Sequence, residues 1–158
     1  MKKLLEKLAV FKFFLKCFAF FAKRPFWDKV TRLLTGSSAR LNLRLNKQAH
    51  SKDAAALAKT WQDLMPPDGQ ALFPITEVTH ATAYTEIHLK CPLRGSDNVE
   101  ACYKLMHYDR KLMDKVGGQL VVLESQSNSG KPFCRLAIRP KGQDISDLIP
   151  AHKKQANL

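Results

Sequence analysis

Six apolar residues, Leu4, Leu8, Phe11, Leu15, Phe18 and Ala22, recur at steps of four, three, four, three and four. That spacing is one stripe along an α-helix, and such a stripe requires a surface to cover it. Val10, Phe14 and Phe21 widen it on one flank. Lys12, Lys16 and Lys23 fall within about 40° of one another away from it, at 100° per residue. Arg24-Pro25 then biases the backbone away from helix. Charge follows the same division. Residues 1–60 hold 14 basic and 3 acidic side chains, residues 61–158 hold 12 and 11, and seven of the nine phenylalanines lie in the first 26 positions. The formal net charge of +12 therefore belongs to the N-terminal part.

An interfacial helix fits this pattern, with Phe11, Phe14, Phe18 and Phe21 in the acyl boundary and Lys12 and Lys16 toward anionic headgroups. Trp27, beside Lys29 and Arg32, suits a membrane–water boundary. A spanning helix needs roughly 20 predominantly apolar residues, whereas the uncharged run Cys17 to Ala22 is short. A secretory signal lacks its unbroken apolar centre and small-residue cleavage site. The alternative covers are the chain's own core or a second copy in a homodimer. Nucleic acid is disfavoured despite the charge, since no zinc-finger spacing, RNA-recognition signature or GXXG loop is present. The expected location is cytoplasmic, peripheral on the inner face of the membrane.

The pattern divides the chain into a basic helix over 1–26, a helical segment over 27–66, an α+β domain over 67–142 and a polar, fraying tail over 143–158. Within the second, Thr35-Gly36-Ser37-Ser38 reads as a stop and restart, Leu41, Leu43 and Leu45 fit helix or strand, and Ser51 is a candidate N-cap for a helix to Leu64. Met65-Pro66-Pro67-Asp68-Gly69 reads as a loop and domain boundary. Beyond it, Ile75 to Lys90 reads as a long strand or hairpin ended by Cys91-Pro92. Asp97 or Asn98 caps a helix to about Lys115, stopped by Gly117-Gly118, and Gln119–Ser125 and Phe133–Arg139 form a hairpin. The fold class is α+β: N-terminal helices, then a small antiparallel sheet packed on a helix in strand–helix–strand–strand order.

Asp109 lies on the apolar face of that helix with Val99, Cys102, Met106, Met113 and Val116. A carboxylate there is paired, protonated or functional, because burying it alone is costly. Cys91 ends the first strand region and Cys134 lies in the last, so three thiols and one carboxylate can converge between helix and sheet. The spacing Cys-x10-Cys-x31-Cys is not a zinc-ribbon pattern. No cofactor is called for; the alternative is zinc or iron on Cys91, Cys102 and Cys134.

The run His88-Leu-Lys-Cys91-Pro92, then Cys102, then Asp109, then Gly130-Lys-Pro-Phe-Cys134 resembles the L-2-amino-thiazoline-4-carboxylic acid hydrolase family over roughly residues 75–140, about 40% of the chain. That family carries a strand ending in Cys, a Cys followed seven residues later by Asp, and a Gly shortly before a Cys in a late strand. One departure is Leu136, where the family pattern has an aromatic residue two positions after the last Cys. The layout is also similar to small-molecule-binding domains of the vinyl-reductase type. The resemblance implies hydrolysis of a cyclic amidine. Cys91 or Cys134, with Cys102 the third candidate, attacks the ring carbon as a thiolate if nearby positive charge lowers its pKa. Asp109 serves as acid and base. Arg94 or Arg135 holds the substrate carboxylate, and His88 completes the substrate-binding set. A water activated by a metal on the three thiols is the mechanistic alternative. In the non-catalytic alternative the thiols are core residues, Asp109 pairs with Arg110 or Arg135, and the chain is a small-molecule- or lipid-binding accessory module at the membrane.

Overall fold

The structure, a computed structural model, describes residues 2–154, without the side chains of residues 2–6. Leu4 of the apolar stripe and the tail beyond Lys154 lie outside what is described. Helix α1 spans Lys2–Ala22, α2 Asp28–Leu45 and α3 Ala54–Asp63. Strands β1 (Ile75–Val78) and β2 (Ala83–Ile87) follow, then α4 (Val99–Leu105), α5 (His107–Val116), β3 (Gly118–Glu124) and β4 (Cys134–Pro140). The sheet is antiparallel with order β1-β2-β4-β3. This is the expected α+β layout, with Ile75 to Lys90 resolved as a hairpin.

Four local readings change, each for a reason in the packing. α2 runs unbroken through Thr35-Gly36-Ser37-Ser38. Thr31, Thr35, Gly36 and Ala39 form its buried face against α5, and the Thr35 hydroxyl donates to the Thr31 carbonyl at 2.7 Å, so small residues serve close approach and not termination. The N-cap of α3 is Asp53, whose Oδ2 accepts from Ala56 N at 2.8 Å, while Ser51 Oγ accepts from Asp53 N. The Pro67–Leu72 segment is not an open loop but a 3-10 turn packed under α1. The segment after Gln143 docks as far as Lys154. Leu148 and Ala151 are buried, Ala151 N donates to Val122 O at 2.8 Å, and Arg139 grips Asp147 through Nη1 and Nη2.

The helix from Asn98 divides at Met106 into α4 and α5, yet Cys102 and Asp109 both stay on the covered side. Asn98 Oδ1 caps it through Ala101 N at 2.8 Å, and Gly117 ends it at φ 91°, a left-handed conformation that lets the chain turn at once into β3.

The N-terminal stripe faces inward. Leu8, Phe11, Leu15 and Phe18 pack against the core that also holds Trp61, Phe73, Leu112, Leu136 and Ile138, so helices and sheet share one interior. Phe11 meets Phe73 edge-on at 6.3 Å. The expectation that Phe11 and Phe18 lie in a membrane is thereby corrected: the chain's own core covers them. Phe21 is half-buried against Trp27, while Phe14 is 48% exposed and Lys12 and Lys16 point outward. Phe13 and Phe20, about 180° around the helix from the stripe, are 63% and 54% exposed. No helix among the described residues is long and apolar enough to cross a membrane.

Candidate functional site

A cavity of about 820 Å³ opens between α1, α2 and the end of the sheet. Phe11, Phe14, Leu15 and Phe18 wall it from α1, and Leu41, Asn42 and Leu45 from α2. Its inner end carries Cys91, Cys102, Cys134, Asp109, Tyr108 and Gln126. The convergence of three thiols and one carboxylate is therefore present. β4 sets Cys134 opposite Ile87 of β2, so the thiol stands beside the chain leading from Ile87 to Cys91. α4 and α5 bring Cys102 and Asp109 to the same cavity from the other side.

Asp109 is 8% exposed, and its Oδ1 accepts from the indole Nε1 of Trp61 at 2.9 Å. Burial pushes its carboxyl up to about 6, against the opposing pull of the Trp61 bond and the Arg110 charge. Among the described residues it makes no ion pair with Arg110 or Arg135. Arg135 instead approaches Glu77 at 3.5 Å and lies over the Tyr84 ring. Alternation along β4 sends Arg135 to the face opposite Cys134.

The thiols are held protonated. Burial pushes Cys134 up to about 12 and Cys102 up to about 11, and raises Cys91 despite Arg94 and Lys23 nearby. Each sulfur accepts a local donor: Cys102 from Ser125 Oγ at 3.0 Å, Cys134 from Gln126 N at 3.4 Å and Cys91 from Leu93 N at 3.4 Å. These bonds lower the thiol pKa values less than desolvation raises them. Among the described residues no three His, Cys, Asp or Glu side chains are grouped to hold a metal ion.

The proposed substrate-binding residues do not reach the cavity wall. Arg94 is spent on the loop, its Nε donating to Gln126 Oε1 at 2.8 Å and its Nη2 to Pro132 O. His88 points to the surface, bonded to Glu86 at 2.7 Å and stacked on Phe133. His88 follows Ile87, which lines the cavity, so alternation sends it to the other side, and Arg94 lies in the turn beyond β2.

Gln126 was not among the expected site residues. Its Oε1 accepts from Cys91 N as well as Arg94, its Nε2 donates to Ile87 O and Leu89 O, and its own amide reaches Cys134. One residue thus holds two of the three thiols, the Cys91 segment through its side-chain carboxamide and the Cys134 sulfur through its backbone N–H. Gln126→Ala leaves at least two buried carbonyls without their donor, and the expected loss is about 2 kcal/mol or more in denaturant unfolding. Cys91 should also alkylate faster in that variant. Asn42 is the second omission: its Nδ2 donates to Tyr108 Oη at 2.7 Å and to Leu64 O at 3.0 Å, tying α2 to the inner end of the cavity.

Comparison of the chain with protein families, curated proteins and solved structures finds no match. The reading of function rests on this geometry and on the sequence.

Proposed function

We propose that the chain is a peripheral membrane protein that takes an apolar, lipid-like small molecule into the cavity between α1, α2 and the sheet. The observation that carries this reading is the cavity wall itself: aromatic and aliphatic side chains from two basic helices enclose about 820 Å³, a size typical of ligand pockets. The thiols, neutral at pH 7, add weakly polar contacts at the inner end, beside Asp109, whose carboxyl titrates at about 6. Outside the cavity, the exposed side of α1 and the connection from α1 to α2 are suited to anionic lipid. Phe26 is 97% exposed and Trp27 43%, with Lys12, Lys16, Lys23, Arg24 and Lys29 at the surface.

A fluorescent palmitate analogue and vesicles of phosphatidylglycerol or phosphatidylcholine test the two halves separately. The probe is expected to bind saturably in the absence of vesicles, and Phe14→Asp at the mouth to weaken it. The protein is expected to sediment with phosphatidylglycerol vesicles, less so as salt rises, and hardly with phosphatidylcholine. Phe26→Ala removes no core contact and should weaken vesicle binding by about tenfold, the effect of withdrawing one inserted aromatic side chain. Absence of probe binding defeats the ligand half; indifference to lipid charge defeats the membrane half.

A second reading is favoured by Asp109 alone. A carboxyl at about 6 beside three thiols is poised to give and take a proton near neutrality, as the ring opening of a cyclic amidine requires. Against it stand the protonated thiols and the absence of Arg94, Arg135 and His88 from the cavity wall. Turnover of 2-aminothiazoline-4-carboxylate by the purified protein, lost in Asp109→Asn with the fold intact, would carry this second reading.

A further inference from the structure

Asp109 and Arg110 are successive on α5, so their side chains diverge by about 100°. Asp109 enters the large cavity, and Arg110 enters a separate pocket of about 240 Å³ bounded by α4, β3 and the docked segment 145–153. Cys102 lines both. In the smaller pocket the Arg110 guanidinium lies 3.9 Å over the Tyr103 ring and its Nη2 donates to Tyr103 O at 2.6 Å. That is one acceptor for five N–H donors.

Among the described residues no carboxylate comes within ion-pair distance of Arg110. The nearest acids are engaged elsewhere: Asp109 accepts from Trp61, and Glu100 approaches Lys104 at 3.6 Å. His152 packs on the other ring contact of Tyr103, at 4.2 Å between centroids, and Lys153 adds a third basic side chain to the lining. Two cations, Arg110 and Lys153, and the His152 ring therefore face one half-enclosed space; Glu100 acts on His152 from α4, but no described carboxylate pairs with Arg110, so an anion bound there would be stabilised. Leu120, Val122, Ile145 and Pro150 form the facing aliphatic wall.

We propose that this pocket is a second binding site, distinct from the large cavity, for a small organic carboxylate with a compact apolar body. The planar guanidinium offers a fork matched to a carboxylate, and His152 and Lys153 flank it. The aliphatic wall accepts the body and disfavours a fully hydrated inorganic ion. Burial first, then the Arg110 and Lys153 charges, hold the His152 imidazole below its ordinary pKa against the pull of Glu100, so a bound anion is expected to raise it.

The test is an NMR titration of the full chain with benzoate, followed at the His152 ring protons. A saturable shift is expected, together with a rise in the His152 pKa. Arg110→Gln should weaken benzoate by about tenfold or more, equivalent to roughly 1.4 kcal/mol. Should that variant not fold by circular dichroism, Lys153→Ala, at an exposed position, is expected to weaken benzoate in the same direction. No saturable shift in the millimolar range, or unchanged affinity in the folded variants, overturns the site. Inorganic phosphate binding as tightly as benzoate overturns the assignment to carboxylates. Displacement of benzoate by the palmitate analogue would place it in the large cavity and overturn a second site, whereas failure of the analogue to bind at all leaves the benzoate result standing on its own.

Discussion

Asp109→Asn is expected to stabilise the protein at pH 8 by about 2–3 kcal/mol and to change its stability little at pH 4. The carboxyl sits at about 6 in the folded chain, above its ordinary 3.8. Between those values the native state holds a proton that the unfolded state has released. Stability from this group therefore falls as pH rises through the window, and above about 6 the full cost of an ionised, buried carboxylate is present. Asp114, Asp144 and Asp147 shift the opposite way, held low by Lys141, Ser146 and Arg139, but they are common to both proteins and cancel in the difference. Asn keeps an oxygen to accept the Trp61 N–H, so packing is little disturbed. Urea unfolding of both proteins from pH 4 to 8 measures the effect. A stability difference that does not vary with pH would mean that burial does not hold the Asp109 proton. Under the hydrolytic reading, the same shift places an exchangeable proton in the cavity near neutrality.

The site residues that lie on regular elements were legible before the fold was. Cys102 and Asp109 are seven residues apart, two helical turns, and a carboxylate on that apolar face already implied a special environment. Cys134 opens β4 as its strand pattern implied, whereas Cys91 lies four residues beyond the end of β2, since the strand stops earlier than Cys91-Pro92. Gln126 was illegible because Ser125-Gln126-Ser127-Asn128-Ser129-Gly130 has the composition of an exposed turn; only the fold shows that Ser125, Gln126 and Ser127 are buried. Trp61 reaches Asp109 across 48 positions of sequence, a pairing that no local pattern encodes. The N-terminal stripe was legible as a helix face, but its partner was not, since an apolar face of this width reads alike against lipid and against protein. Phe13 and Phe20, on the reverse face, are left exposed. The basic residues near the thiols misled for a simpler reason: proximity in sequence at a strand end says nothing about which side of the sheet a side chain takes, and Arg135 takes the side away from Cys134.

All three cavity thiols are expected to resist alkylation by iodoacetamide at neutral pH, Cys102 by roughly two and Cys134 by roughly three orders of magnitude relative to an unperturbed cysteine. The thiolate is the reactive form, and with pKa values near 11 and 12 only a minute fraction of either thiol is ionised. Cys91 is half-buried and is the least protected of the three, because Arg94 and Lys23 offset part of its desolvation. Cys17, on α1, serves as the internal reference. Peptide mass spectrometry after timed labelling ranks the four. The order Cys17, then Cys91, then Cys102 and Cys134 supports a binding cavity in which sulfur acts as a soft, uncharged wall. If Cys91 instead outruns Cys17, the cavity contains an activated thiolate, and the hydrolytic reading gains the nucleophile that its chemistry requires. Occupancy should also matter. The palmitate analogue is expected to slow labelling of Cys91, because both lie in the same cavity, and to leave Cys17, which does not line it, unchanged.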